Sequence, residues 1–311
     1  MSYLEVSKIS KYFRDPEHRG TFCVFEDIHL KIEKSEFITV VGHSGCGKST
    51  LLNIIAGLED ASSGGVILEG KEVDSPGLDR SVVFQNFALI PWMTVFENIR
   101  LAVKAANPDW SKSQIKDYTF KYIDLVNLRE AANKKPSALS GGMKQRVGLA
   151  RAFCINPKVL LLDEPFAQID ALTRGVIQDE LVEMWEDSKS TVFMVTHDVD
   201  EAILLSDRVV LMTNGPNARI GEIVEIDIPR PRTRASIIEH PSYYKIRNHI
   251  IHFLVERSQK LSSVNDNKES NNGNKIVSFK KEPSRVNAKR TGQSHSLFHA
   301  SRAEQVNQLN N

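Results

Sequence analysis

The sequence predicts an α/β fold around a mainly parallel sheet, and three observations carry that prediction. Short apolar runs of strand length recur along the chain, at Phe37–Val41, residues 82–84, residues 159–162, Thr191–Thr196 and Arg208–Met212. Segments with helical spacing lie between several of them, the alternation that builds a parallel sheet. A glycine-rich stretch joins the run Phe37–Val41 to a helical pattern over residues 49–58.

The elements follow in order. Residues 1–40 alternate apolar and polar positions and are rich in β-branched and aromatic residues, with candidate strands at residues 3–9 and 28–32. Residues 91–151 read mostly as helix. There Thr94 and Glu97 have the spacing of a capping box, in which hydroxyl and carboxylate satisfy free amide hydrogens at a helix start. Ile115, Tyr118, Tyr122 and Leu125 keep helical spacing, so a helical insertion interrupts the α/β core. After the strand at 159–162 a helix is predicted with Leu172, Val176, Leu181 and Met184 near one face. The domain implied by these patterns spans residues 1–257. Residues 258–311 form a polar, basic tail; over 261–311 Asn, Ser, Lys and Gln dominate, and too little apolar surface is present to offset chain entropy, which predicts disorder.

Composition narrows the function classes. The chain has 311 residues and a formal net charge of +1, so no overall field argues for nucleic acid, and no nucleic-acid partner is expected. No run approaches the roughly 18 apolar residues that cross a bilayer. The first residues lack the layout of a signal peptide, so a cytosolic chain, held at any membrane by other proteins, is expected. Cys23, Cys46 and Cys154 are odd in number and lack CxxC spacing, and read as reduced thiols.

Two motifs carry phosphate chemistry. Gly42, His43, Ser44, Gly45, Cys46, Gly47, Lys48 and Ser49, followed by Thr50, match GxxxxGK[ST] between a strand and a helix. Glycines let the backbone wrap phosphates with amide hydrogens inward, and the helix adds its positive end. In that setting Lys48 contacts the β- and γ-phosphates of ATP and Ser49 ligates Mg²⁺. The run 159–162 leads through Leu162 to Asp163 and Glu164. A carboxylate at a strand end holds Mg²⁺ through its water shell, and its neighbour is placed to polarise an attacking water. A bare Gly-rich turn or an acidic strand end is the plainer alternative for either motif taken alone.

Between them, Leu139, Ser140, Gly141, Gly142 and Met143 resemble the LSGGQ signature of ABC ATPases, with Met143 in place of the usual Gln. A helix N-cap at Ser140 is the plainer reading, and it shares its physics with an anion site. Three further residues match the family in order. Gln85 resembles the Q-loop glutamine, which senses Mg²⁺ and the attacking water. Asp170, in a segment that departs from the commoner form, resembles the D-loop aspartate. His197 resembles the switch histidine at the γ-phosphate. Phe13 resembles the aromatic that stacks on adenine, with Tyr12 as its competitor.

The resemblance covers roughly residues 3–257. It implies a P-loop NTPase cassette with an antiparallel β subdomain and a helical subdomain at about 91–151, dimerising head to tail. ATP would be sandwiched between residues 42–49 of one chain and Ser140–Gly142 of a second ATPase subunit, either another copy or a related cassette. Thiol alkylation at Cys46 would then inhibit, with ATP protecting. Residues 81–95 resemble the importer branch, near nitrate, sulfonate and taurine cassettes, and residues 228–234 with 239–244 look most like nitrate-type cassettes, with cyanate and bicarbonate relatives close behind. The resemblance thus implies transmembrane permease subunits, an upstream solute-binding protein and a peripheral place on the cytoplasmic membrane face. Phe87, Leu89, Ile90, Pro91 and Trp92 would form the apolar patch that receives the membrane subunit, and Arg230, Arg232 and Arg234 a basic surface strip. A soluble ABC ATPase unattached to a transporter is the alternative.

Overall fold

The structure, a computed structural model, describes residues 2–14, 20–257 and 275–279. Among these, strands β1 (Leu4–Arg14), β2 (Thr21–Ile32), β4 (Ser63–Leu68) and β5 (Lys71–Glu72) form an antiparallel sheet in the order β2-β1-β4-β5. A second sheet gathers β3 (Phe37–Val41), β6 (Arg80–Val83), β7 (Val159–Asp163), β8 (Thr191–Thr196), β9 (Arg208–Met212), β10 (Ile220–Glu225) and β11 (Lys275–Val277). Its order is β11-β10-β9-β3-β8-β7-β6. The pairs β6·β7, β7·β8, β8·β3 and β3·β9 are parallel, as the alternation of strands and helices predicts.

The continuous apolar runs are explained by two cores, one on each face of this sheet. Successive side chains of a strand point to opposite faces. Accordingly Ile38, Val40, Leu161 and Phe193 join the core beneath the antiparallel sheet and helix α1 (Lys48–Ala56). Phe37, Val41, Leu160, Leu162 and Met194 enter the other core. That second core is covered by α2 (Val95–Ala106), α3 (Lys112–Leu125), α4 (Gly141–Phe153), α5 (Ala171–Ser188), α6 (Val199–Leu205), α7 (Arg234–Glu239) and α8 (Tyr243–His252). A strand buried on both faces cannot alternate apolar with polar.

Helices α2–α4 occupy the predicted helical stretch, and α2 opens with the Thr94/Glu97 capping box. On α3 the buried stripe is Ile115, Thr119 and Ile123; Tyr118 and Tyr122 are half-buried and Leu125 is exposed. The expected face of α5 is also corrected. Ile177, Leu181, Met184 and Trp185 are buried, but Leu172 is 91% exposed and Val176 is exposed as well. The buried apolar residues share one side of the helix, and Leu172 and Val176, four positions apart, share a different side.

Of the three arginines expected as a surface strip, Arg234 is exposed, whereas Arg230 and Arg232 are partly buried; all three also anchor the chain after β10. Arg232 donates to the carbonyls of Ile203, Ser206, Ile226 and Ile228, and burial pulls its pKa down to about 10. Arg230 pairs with Asp207 and lies over the Trp185 ring at 4.4 Å. Arg234 binds Gln178 and the Gly175 carbonyl. Five guanidinium donors in a fixed fork suit such multiple carbonyl contacts.

Within the predicted tail, residues 275–279 depart from expectation. Strand β11 pairs in parallel with β10, Lys275 reaches the buried Glu222 at 3.2 Å, and Phe279 meets the His249 ring edge-on at 5.4 Å. An unpaired sheet edge and a buried carboxylate supply partners that tail composition alone does not reveal. The disorder expected for residues 258–274 and 280–311 lies outside the described residues. No helix among the described residues is long and apolar enough to cross a membrane.

Candidate functional site

The parallel order of β9-β3-β8-β7-β6 puts the C-terminal ends of these strands side by side, where open α/β sheets gather their ligands. The loop after β3 carries Gly42, His43, Ser44, Gly45, Cys46 and Gly47, and α1 begins at Lys48 with Ser49 and Thr50 in its first turn. Gly45 and Gly47 take φ values of 81° and 91°. A Cβ on Gly47 would lie 2.6 Å from both Phe25 and Val24, so only glycine closes this turn. His43, Ser44 and Gly45 are exposed, whereas the loop is tied from within by Lys48. The Lys48 ammonium donates to the carbonyls of Gly42 at 2.8 Å and His43 at 2.9 Å. The backbone amides at the start of α1 lack a side-chain cap and form the positive end of the helix.

Opposite them stand the acidic residues at the end of β7. Asp163 accepts from the Ser49 hydroxyl at 2.9 Å. Burial raises its pKa, with the neighbouring Glu164 charge adding to that and the Ser49 hydrogen bond opposing it. Glu164 takes a left-handed φ of 44° and donates its N–H to the Val195 carbonyl of β8 at 2.9 Å. A non-glycine residue held there is strained, and the strain aims its carboxylate outward, between strands. Oε2 of Glu164 accepts from Gln85 Nε2 at 3.1 Å and lies 3.4 Å from His197 Nδ1. Residues predicted from four separate motifs thus converge: Ser49, Gln85, Asp163, Glu164 and His197.

The others lie apart. Ser140 caps α4 by accepting from Met143 N–H at 3.3 Å, so the helix-start reading of the signature is borne out locally. Gly142 is packed so closely that a Cβ would sit 2.6 Å from Thr173 Cγ2, and one on Gly141 would lie 2.9 Å from the Gln168 carbonyl. Among the described residues, no hydrogen bond joins Ser140, Gly141 or Gly142 to the loop 42–49. Asp170 caps α5, accepting from Thr173 N–H at 3.0 Å; that bond lowers its pKa. Phe13 and Tyr12 both belong to β1 and both are exposed, so neither is a core aromatic, and Lys11 lies over the Phe13 ring.

Cys46 revises one expectation. Its thiol is fully buried and burial pushes its pKa up, so it is neither accessible nor ready to form a thiolate. Alkylation there requires the loop to open first. Cys23, Cys46 and Cys154 are all free.

Sequence reasoning missed a polar group beside His197, in which buried Gln178, Thr196 and Glu201 meet the partly exposed Arg174. Its signal was present as an acidic residue, Glu201, flanked by Val199, Ala202, Ile203, Leu204 and Leu205.

Comparison with known proteins gives the arrangement its context. Residues 25–167 match the family model described as ABC transporter. The chain is 51% identical over 255 residues to the bicarbonate transport ATP-binding protein CmpD of Synechococcus elongatus, covering 82% of this chain and 91% of that one. It is 50% identical over 255 residues to the nitrate import ATP-binding protein NrtD of the same organism, covering 82% and 92%. Against the nitrate import ATP-binding protein NrtC of Synechocystis sp. it is 51% identical over 276 residues, or 88% of this chain and 41% of that longer protein. Among solved structures, the ATP-binding cassette MJ0796, dimeric and bound to ADP and Pi after hydrolysis, superposes with a TM-score of 0.64 at 29% identity. That match covers 72% of this chain and 98% of the cassette. With its phosphate loop facing a strand-end Asp–Glu pair, the chain belongs to the ABC transporter family and is one of its ATP-hydrolysing cassettes.

Proposed function

We propose that the chain is the ATP-hydrolysing subunit of an importer for a small anion, nitrate first, with bicarbonate, nitrite, cyanate and sulfonates as alternatives. The observation that carries the importer reading is identity near one half to both nitrate and bicarbonate ATP-binding proteins over most of the chain. The cassette drives transport, and the solute is selected by other subunits: transmembrane permeases and a solute-binding protein. The cassette sits peripherally at the cytoplasmic membrane face. Of the five residues assigned to docking, Phe87 is buried and Leu89 and Ile90 are half-buried, which leaves Pro91 and Trp92, the latter 71% exposed, as the contact.

Hydrolysis is derived from the strand-end geometry. The loop amides and Lys48, released from the Gly42 and His43 carbonyls, take the phosphates of ATP. Glu164 receives the proton of the attacking water while Gln85 and His197, both at its carboxylate, orient that water and the γ-phosphate. The hydroxyl of Ser49 and the carboxylate of Asp163 face each other, a hard oxygen pair suited to Mg²⁺, with Gln85 as a further ligand. Bound there, Mg²⁺ neutralises charge on the β- and γ-phosphates. Phe13 stacks on adenine. Ser140, Gly141, Gly142 and Asp170 act across a head-to-tail dimer, where the start of α4 presents its helix end to the γ-phosphate of the other subunit.

Uptake of labelled nitrate and bicarbonate by cells lacking this chain tests the solute. The intact chain should restore nitrate uptake and Glu164→Gln should not. Restoration of bicarbonate uptake alone would replace nitrate, and no dependence of either on this chain would remove the importer reading.

A further inference from the structure

Glu201, in the first turn of α6, is 7% exposed and points away from solvent. An acidic residue three positions after a helix cap ordinarily reaches back to the cap's own amide. Here it turns inward instead. Its Oε2 accepts from the Thr196 hydroxyl at 2.8 Å and its Oε1 from Gln178 Nε2 at 3.0 Å. The Thr196 oxygen in turn accepts from Asp198 N–H at 3.1 Å, so residues on both sides of His197 are held through one carboxylate.

Arg174 extends the cluster to a second loop. Its guanidinium lies 4.0 Å from Glu201 Oε1 and 3.7 Å from Asp198 Oδ2, and it donates to the Ile169 carbonyl at 3.2 Å. A cavity of about 40 Å³ is lined by Glu164, His197, Arg174 and Glu201 together. Such a volume holds a water or two, which suits its polar walls.

We propose that Glu201 is a positioning residue for ATP hydrolysis, fixing the His197 turn and the loop before α5 relative to Glu164 through Thr196 and Arg174. The proposal rests on Glu164 and His197 being the hydrolytic groups. Charge holds such a cluster in a low-dielectric setting, here through the Glu201 carboxylate facing Arg174, whose Nε is buried without a hydrogen-bond acceptor. Arg174 on α5 is the cation facing the carboxylate. His197, Asp198 and Asp200 face it from the start of α6, and Glu164 across the cavity. Arg234 of α7 reaches it through Gln178, while Tyr243 and Arg247 of α8 hold Asp200. Burial raises the Glu201 pKa to about 7, so the charge that balances Arg174 is lost as pH falls through neutrality.

The test is steady-state ATPase kinetics of the full chain as wild type, Glu201→Gln and His197→Ala, from about pH 6 to pH 8.5, the range around the unperturbed histidine pKa. Glutamine keeps the shape and one acceptor oxygen, as a protonated carboxyl would, but loses the second acceptor and the charge. At the alkaline end Glu201→Gln should lower kcat about tenfold, the usual scale for a residue that orients another, with KM for ATP within about twofold. The ratio of wild-type to Glu201→Gln kcat should shrink toward one at the acid end. Thr196→Val, which removes the hydroxyl relay, should show a lowered kcat at unchanged KM. A ratio near one at every pH overturns the proposal, and so does a deficit that does not change with pH. Full ATPase in His197→Ala would instead overturn the hydrolytic assignment and this proposal with it.

Discussion

Lys48 makes two hydrogen bonds to carbonyls of its own loop, at Gly42 and His43, and an ammonium has three donors. Phosphate oxygens are stronger acceptors than those carbonyls, because both partners then carry charge. Lys48→Ala should therefore weaken ATP binding by roughly 1.5–3 kcal/mol, or about 10- to 100-fold in Kd, measured by titration with a fluorescent nucleotide. Unchanged affinity would move the phosphate site elsewhere. Glu201 allows a stability prediction of the opposite kind. Its pKa in the folded chain, about 7, lies above the ordinary value of 4.5, so the folded state binds the proton more tightly than the unfolded chain does. Stability from this group is fully present below the unfolded pKa and is lost as pH rises between those two values. Glu201→Gln should thus be more stable than wild type at alkaline pH, on the order of 3 kcal/mol at most, at 1.36 kcal/mol per pH unit. The gain should vanish in acid, which urea melts at both ends of the range would show. A carboxylate kept where it destabilises the fold is what a residue retained for turnover would do.

At the scale of elements, α4 and α5 meet at their N-termini, and Gly142 sets how closely. A methyl group there would lie 2.6 Å from Thr173 Cγ2 and 3.3 Å from Ile177 Cδ1. Gly142→Ala should cost about 1–3 kcal/mol by overpacking and separate the two helix starts. Adding Thr173→Ala removes the closest clashing atom and keeps the backbone N–H that Asp170 accepts, so the double variant should regain most of the loss in a chemical melt. Two independent, additive losses would contradict this packing account. The same elements show what a sequence can disclose. The phosphate loop, the strand-end acids and the α4 cap are local patterns, in which spacing along the chain already fixes geometry. The face of α5 is not local: Leu172 and Val176 share one side of the helix, but the side that packs is the one Ile177, Leu181, Met184 and Trp185 share. Arg230 and Arg232 look like surface charges because charge reads as exposure until carbonyls at the end of α6 and after β10 come into view. Glu201 is hidden for the same reason, since its partners on α5 are more than twenty positions away.

For the molecule as a whole, the edge of the larger sheet is closed by a strand from a segment whose composition reads as tail. Lys275 and His249 both reach Glu222, which is 1% exposed, and removing one partner of a buried carboxylate is costly. Deleting residues 258–311 removes β11 and should lower the melting temperature by several degrees, whereas deleting 281–311 should leave it unchanged. Equal effects of the two deletions would separate β11 from stability. The proposed head-to-tail dimer would build each working site from two subunits. Ser49, Gln85, Asp163, Glu164 and His197 converge, but the start of α4 is not hydrogen-bonded to them. In that proposed arrangement a second subunit would supply the α4 helix end.

The most direct measurement is the mass of the purified Glu164→Gln chain by light scattering, with and without Mg-ATP. Without its base the chain should bind ATP and stop before hydrolysis, giving a dimer with nucleotide and a monomer without. A chain that binds ATP and stays monomeric would contradict self-completion of the site and require a different second cassette. Turnover retained by Glu164→Gln would contradict the assignment of the base itself.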